Sequence, residues 1–179
     1  LSAPRNAEAL LRNLKAGAQA TREVDETWEL PWGERRVVRN RYRELRATFN
    51  ETVRDQRRFD VVFRVYDDGF GFRYEMPKQP KVNRVEIEDD LSEFAVARPA
   101  TAWWIPAGEW NRYEQIYRTT PVDAVGIAHT PITMRLDDGL HLSFHEAALV
   151  DYSGALASGR LKRGDNPVLM TFELVLEAR

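Results

Sequence analysis

The sequence predicts an all-β, mainly antiparallel fold, a two-sheet sandwich preceded by a short N-terminal helix. Three observations predict it. Two apolar alternations are each interrupted by an Asp-Asp-Gly turn, at 67–69 and 137–139. Aromatic side chains make up 11% of the 179 residues, a share that suits a β-rich core. Strand and helix patterns never alternate, and Gly69 and Gly71 belong to a hairpin, not to a phosphate-binding strand-to-helix loop.

Taken in order, residues 1–20 read as a helical or edge segment and residues 21–179 as the β-sandwich. Asn6 can cap a helix over Asn6 to Ala16, with Leu10, Leu11 and Leu14 on one face and Gly17 ending it. Glu23 to Leu30 is extended, and Pro31-Trp32-Gly33 is a turn. Residues 37–53 form one long strand or two. Tyr42, Glu44, Arg46, Thr48 and Asn50 lie on one side, opposite Arg43, Leu45, Ala47, Phe49 and Glu51, and one face should be solvated. Phe59 to Val65 and Phe70 to Met76 make the clearest hairpin, with Gly69 free to take a positive φ and Pro77 and Pro80 stopping the second strand.

Residues 82–88 and 92–97 read as two short strands separated by a solvated acidic turn, Glu88-Asp89-Asp90. Trp103-Trp104-Ile105-Pro106 is an aromatic run closed by proline. Trp110 to Tyr117 is a helical turn or an irregular loop, and Thr119-Thr120-Pro121 breaks what precedes it. Thr130 to Phe144 is the second hairpin. Residues 147–163 look irregular, and Asn166-Pro167 opens a last strand from Val168 to Leu176.

Composition narrows function by exclusion. A net charge of −2 with no Lys/Arg run argues against nonspecific binding to nucleic acid or a membrane surface. No apolar run reaches the roughly 20 residues of a spanning helix, and no secretory leader pattern is present. Zero cysteines exclude disulfides, thiolate catalysis and Cys-ligated zinc.

The segment richest in chemistry runs from Gly139 to Tyr152. Leu140, Leu142 and Phe144 occupy one face of a strand, His141 and Ser143 the other. Glu146 continues the apolar row, where a lone carboxylate would be costly unless paired or bound to a metal. The alternative is that the sheet ends first and Glu146 reaches water. Ser143, His145 and Asp151 can be assembled into a triad, but no nucleophile-elbow glycines surround the serine. His129, His141 and His145 could bind zinc, although three histidines do not make a motif. A calcium ion is the more interesting option, because it takes six to eight oxygens and one domain can supply only some of them. Glycoside hydrolysis needs two facing carboxyl groups, and nothing marks a partner for Glu146. The residues describe one functional edge and an incomplete site.

Several segments together resemble the N-terminal domain of glycoside hydrolase family 97. They are the hairpin Phe59 to Tyr74, Asp25-Glu26-Thr27-Trp28 with Pro31-Trp32-Gly33, Tyr42-Arg43-Glu44-Leu45, Trp103-Trp104-Ile105-Pro106, Ala128-His129-Thr130-Pro131 and, most specifically, His141 to Tyr152. The resemblance runs from about Thr21 to Gly154. It implies a β-super-sandwich like that of galactose mutarotase, in bacterial α-glucosidases or α-galactosidases that also carry a catalytic (β/α)₈ barrel and a small C-terminal β domain. It implies Ca²⁺ in the active site, with Glu146 as the ligand from this domain. The catalytic carboxylates and remaining ligands would belong to the barrel, so that this chain holds no catalytic residue and is inactive alone. The implied partners are that barrel and α-glucoside or α-galactoside oligosaccharides, and the implied location is periplasmic or secreted. Residues 1–20 and 155–179 depart from the expected family pattern. Two further readings stand beside this one. A carbohydrate-binding module could stack sugars on Trp103, Trp104 or Trp110, which core packing would otherwise explain. An epimerase-type enzyme could use His129 or His145 as acid and Glu146 as base.

Overall fold

A computed structural model describes residues 13–53, 56–80, 82, 92–109 and 111–146, together with the backbone of 155–160 and 168–174. The chain divides into two units, Leu1–Val85 and Glu86–Arg179.

The first unit is a four-stranded antiparallel meander of β1 (Leu14–Glu29), β2 (Val37–Glu51), β3 (Arg58–Val65) and β4 (Phe70–Glu75), in that order across the sheet. The expected helix fails where it can be seen. Leu14 to Ala16 pair with Glu51 to Phe49, and the strand follows the left-handed Asn13 (φ 59°). Pairing with a long neighbour satisfies those backbone groups without the costly nucleus that a short helix requires. Residues 6–12 of that expectation lie outside the described residues. The Pro31-Trp32-Gly33 turn is present, closed by Leu30 N donating to Arg36 O at 2.8 Å, with Gly33 at φ 120°.

Residues 37–51 form one strand, and Arg39, Arg41 and Arg43 are exposed along one face, the expected solvated side. Tyr42 and Glu44 are both buried, because cross-strand arginines cover the carboxylate. In the first hairpin Tyr66 N donates to Gly69 O at 2.8 Å, and Gly69 does not take a positive φ. The opposite face of this sheet carries an aromatic ladder in which Phe49 and Phe59 stack with centroids 5.3 Å apart. Phe63, Phe72 and Tyr74 continue it in successive tilted and edge-on contacts.

The second unit holds two four-stranded sheets. One is ordered β10-β9-β6-β7, from β6 (Ala100–Trp104), β7 (Arg118–Pro121), β9 (Ile132–Leu136) and β10 (His141–Phe144). The other is ordered β5-β12-β11-β8, from β5 (Glu93–Val96), β8 (Ile127–His129), β11 (Ala155–Arg160) and β12 (Val168–Leu174). All pairings are antiparallel. Both sheets feed one core, in which Val96 and Ala128 join Ala102, Trp104, Ile132 and Met134. Alternation produces this directly, since even-numbered residues of β6 and β9 point inward.

The second hairpin closes over Asp137 to Gly139 with Leu136 N bonded to Leu140 O and Gly139 at φ 90°. A three-residue loop ending in a left-handed glycine is what this geometry requires. Thr119-Thr120-Pro121 is part of β7 instead of a break, because Pro121 sits on an edge strand where its missing N–H costs nothing. Ala155 to Arg160, expected to be irregular, is a strand paired on both sides. The described residues of 111–117 form an irregular loop, and a single 3-10 turn (Val122–Ala124) is the only helical element among the described residues. Residues 83–91, with the acidic triplet, lie outside the description.

Candidate functional site

The antiparallel order of the β10-β9-β6-β7 sheet gathers four strand ends on one side: the end of β10, the start of β9, the end of β6 and the start of β7. Glu146 leaves the sheet here. β10 stops at Phe144, paired with Ile132, so Glu146 lies beyond the ladder. It is half-buried, while His145 beside it is exposed. Half-buried and past the last ladder pair, Glu146 is not a fully buried charge.

The same end carries His129 and the loop that follows β6. Pro106 bridges to Ala128, and His129 N donates to Ile105 O at 3.1 Å, tying the end of β6 to β8. The Tyr113 ring covers the His129 imidazole, with centroids 4.4 Å apart. His129 Nε2 is buried with no hydrogen-bond partner among the described residues, and burial pushes the imidazole pKa down. A neutral imidazole under an aromatic lid is an unused donor or acceptor, and sequence alone did not separate it from the other two histidines. Beyond it, Pro106 and the 112–118 segment border a shallow open groove of about 570 Å³.

The other sequence candidates do not assemble. Among the described residues, which include all three histidines, no three His, Cys, Asp or Glu side chains come together to hold a metal. That removes the three-histidine zinc reading. It also means that Glu146 is not part of a complete metal cage among the described residues. Ser143 Oγ lies 3.1 Å from Thr133 Oγ1, a hydroxyl pair across two strands, and Asp151 falls outside the described residues. Trp104 is core: it is buried, its Nε1–H donates to Thr120 Oγ1 at 3.0 Å, and Arg118 lies over its ring at 5.3 Å. Trp103, on the other face, runs parallel to His141 within 9°, with centroids 6.4 Å apart. Trp110 lies outside the description.

One polar cluster escaped sequence reading. Register places Glu44 between Arg22 on β1 and Arg64 on β3. Arg22 donates from Nε to Oε1 at 2.7 Å and from Nη2 to Oε2 at 2.9 Å, while Arg64 Nε donates to Oε2 at 2.9 Å. The Arg22 hydrogen bonds outweigh burial and, with Arg64, hold the Glu44 carboxyl down to about 2. Arg64 also lies 4.5 Å above the Tyr42 ring. Beside it, Arg46 Nη1 donates to Asp60 Oδ2 at 2.9 Å and to Glu75 Oε2 at 2.6 Å. Every carboxylate oxygen of Glu44, Asp60 and Glu75 accepts from an arginine or from Thr48, so this cluster holds the meander together instead of presenting reactive groups.

Comparison with known proteins bears on both units. The family model described as Glycosyl-hydrolase 97 N-terminal matches residues 2–172. That match extends past both ends of the Thr21–Gly154 stretch, so residues 2–20 and 155–172 of the segments expected to depart from the pattern fall within it. A glycoside hydrolase family 97 enzyme from Pseudoalteromonas sp. strain K8, solved in complex with acarbose, is 36% identical. It superposes with a TM-score of 0.78, over 91% of this chain and 28% of that one. A variant of a family 97 enzyme from the same strain in complex with panose matches equally well, at 36% identity and a TM-score of 0.78 over 91% and 28% of the two chains. A β-arabinopyranosidase shares the fold at 20% identity and a TM-score of 0.71, over 90% of this chain and 27% of that one. The chain thus spans about 28% of the length of its solved family 97 relatives.

Proposed function

From a chain that belongs to the glycosyl-hydrolase 97 N-terminal family, we infer the non-catalytic β domain of a calcium-dependent α-glycoside hydrolase. In this reading the domain packs on a catalytic (β/α)₈ barrel and lends Glu146 to the active-site calcium. The observation that carries the reading is the placement of Glu146, half-buried just past the end of β10. One carboxylate gives one or two of the six to eight oxygens that calcium takes, so the shell must be completed from elsewhere. When bound, the ion would polarise the sugar and steady the catalytic acid. The part of this chain is to hold one ligand at a fixed strand end. The acarbose and panose complexes of the Pseudoalteromonas relatives favour α-glucosides as the substrate class, with α-galactosides the alternative. A periplasmic or secreted location fits an enzyme acting on oligosaccharides taken from outside the cell.

Calorimetric calcium titration tests the assignment. Glu146→Gln in the complete enzyme should weaken calcium binding by at least about tenfold, with an unchanged circular dichroism spectrum. The 179-residue chain alone should bind calcium no better than millimolar and should not cleave nitrophenyl α-glucoside or α-galactoside. Micromolar binding or cleavage by the lone chain would overturn the reading.

A second reading, saccharide binding by the isolated chain, is favoured only by Trp103 on the outer face beside His141. Loss of glycan-array binding in Trp103→Ala would promote it.

A further inference from the structure

We propose that the second half of the loop between β6 and β7, through Tyr113, Ile116 and Tyr117, is the surface by which this chain docks on the calcium-bearing portion of its enzyme. The inference rests on the function proposed above and names the contact that function requires.

Exposure makes the loop conspicuous. Ile116 is 89% exposed, Tyr117 64% and Tyr113 56%, three large apolar or aromatic side chains within five residues. Concentrated apolar exposure of this kind marks an interaction site, since single exposed apolar residues are ordinary and clusters are not. Aromatic anchors are also the side chains that dominate interface energetics.

Position says what the loop should meet. A ligating carboxylate oxygen lies about 2.3–2.6 Å from calcium, so whatever supplies the other ligands must close directly over the sheet end that carries Glu146. The loop springs from that same end, from the end of β6 and the start of β7. With neighbouring strands about 4.8 Å apart, β10 and β6 are separated by about 10 Å. An ordinary interface, with about 800 Å² buried on each side, spans both.

The loop is also prepared for docking. Its base is pinned by Ala107 N donating to Ile127 O at 3.0 Å, and its Tyr113 ring rests on His129. Less ordering entropy is then lost on association. Arg112 and Arg118 flank these side chains and Glu109 and Glu114 lie in the same loop, which calls for an apolar partner surface with charges of both signs at its rim. The solved relatives have about 72% of their length outside the region that this chain matches, room enough for such a partner in the same polypeptide.

Hydroxyl-radical footprinting read by mass spectrometry tests this, because tyrosine and isoleucine are oxidised according to side-chain exposure. Tyr113, Ile116 and Tyr117 should label readily in the 179-residue chain and at least fivefold less in the complete enzyme. Equal labelling in both overturns the proposal. Ile116→Asp should restore labelling of Tyr113 and Tyr117 in the complete enzyme and leave the melting temperature of the lone chain unchanged. If Glu146→Gln leaves calcium affinity intact while the loop stays protected, the metal assignment fails and the docking surface stands. If Glu146→Gln abolishes calcium binding while the loop labels fully, the docking surface fails and the metal assignment stands.

Discussion

Replacing Glu44 by Gln should destabilise the protein at neutral pH by about 1–2 kcal/mol, and the loss should shrink as the pH falls below 4.5. The residue is 5% exposed, and its carboxylate receives three hydrogen bonds from Arg22 and Arg64. Its carboxyl lies at about 2, against an ordinary 4.5. At roughly 1.4 kcal/mol per pH unit, that depression corresponds to about 3.5 kcal/mol as an upper bound. Arg22 is more than half exposed, so solvent screening removes a large part of it. The sign follows from linkage: a carboxyl depressed in the folded state contributes stability above 4.5 and loses it as the pH falls towards 2. Urea denaturation of wild type and Glu44→Gln, followed by circular dichroism between pH 7 and pH 3, reads the difference directly. Comparing the two proteins at each pH cancels the other carboxylates, including Asp60 and Glu75. A difference that stays constant across the range, or that grows in acid, would refute the reasoning. So would insensitivity of the pH 7 difference to 1 M salt, since the Arg22 side of the cluster is open to screening.

Two further outcomes follow from local geometry. Gly139→Ala should cost about 1 kcal/mol, because φ is 90° there, whereas Gly69→Ala should be near neutral, since Gly69 lacks a positive φ and has open space around it; thermal melts of the pair measure the contrast. Burial of His129 pushes its pKa below 6.5, so stability should fall as pH drops below that value, and His129→Phe should remove this slope in denaturation curves taken from pH 7.5 to 5.

Period-two alternation carried most of the fold to the surface of the sequence. Phe59 to Phe72 and Ile132 to Phe144 declare their hairpins through apolar residues at every second position and a turn of Asp-Asp-Gly, and both form. Where local pattern was ambiguous, pairing partners decided. Leu14 to Ala16 fits a helix face as well as a strand, and it is β2 across the sheet that makes it a strand. Ala155 to Arg160 carries glycine and serine and looks irregular until β8 and β12 supply hydrogen bonds on both sides. The two Asp-Asp-Gly turns read alike, yet only Gly139 needs the left-handed region, because loop length and strand register differ between the hairpins.

The candidate site divides in the same way. By itself the sequence marked the His141 to Tyr152 segment and singled out Glu146, since an acid beside an apolar row is visible in one dimension. It could not say that β10 stops at Phe144, two residues before that acid. Nor could it find the Arg22–Glu44–Arg64 cluster or the Tyr113 lid on His129, whose members lie 22, 20 and 16 residues apart. Alternation is a property of each strand's own backbone, so it survives in the sequence. Cross-strand pairing, strand termination and the burial of a carboxylate or an imidazole depend on register and on neighbours, and only the tertiary structure decides those.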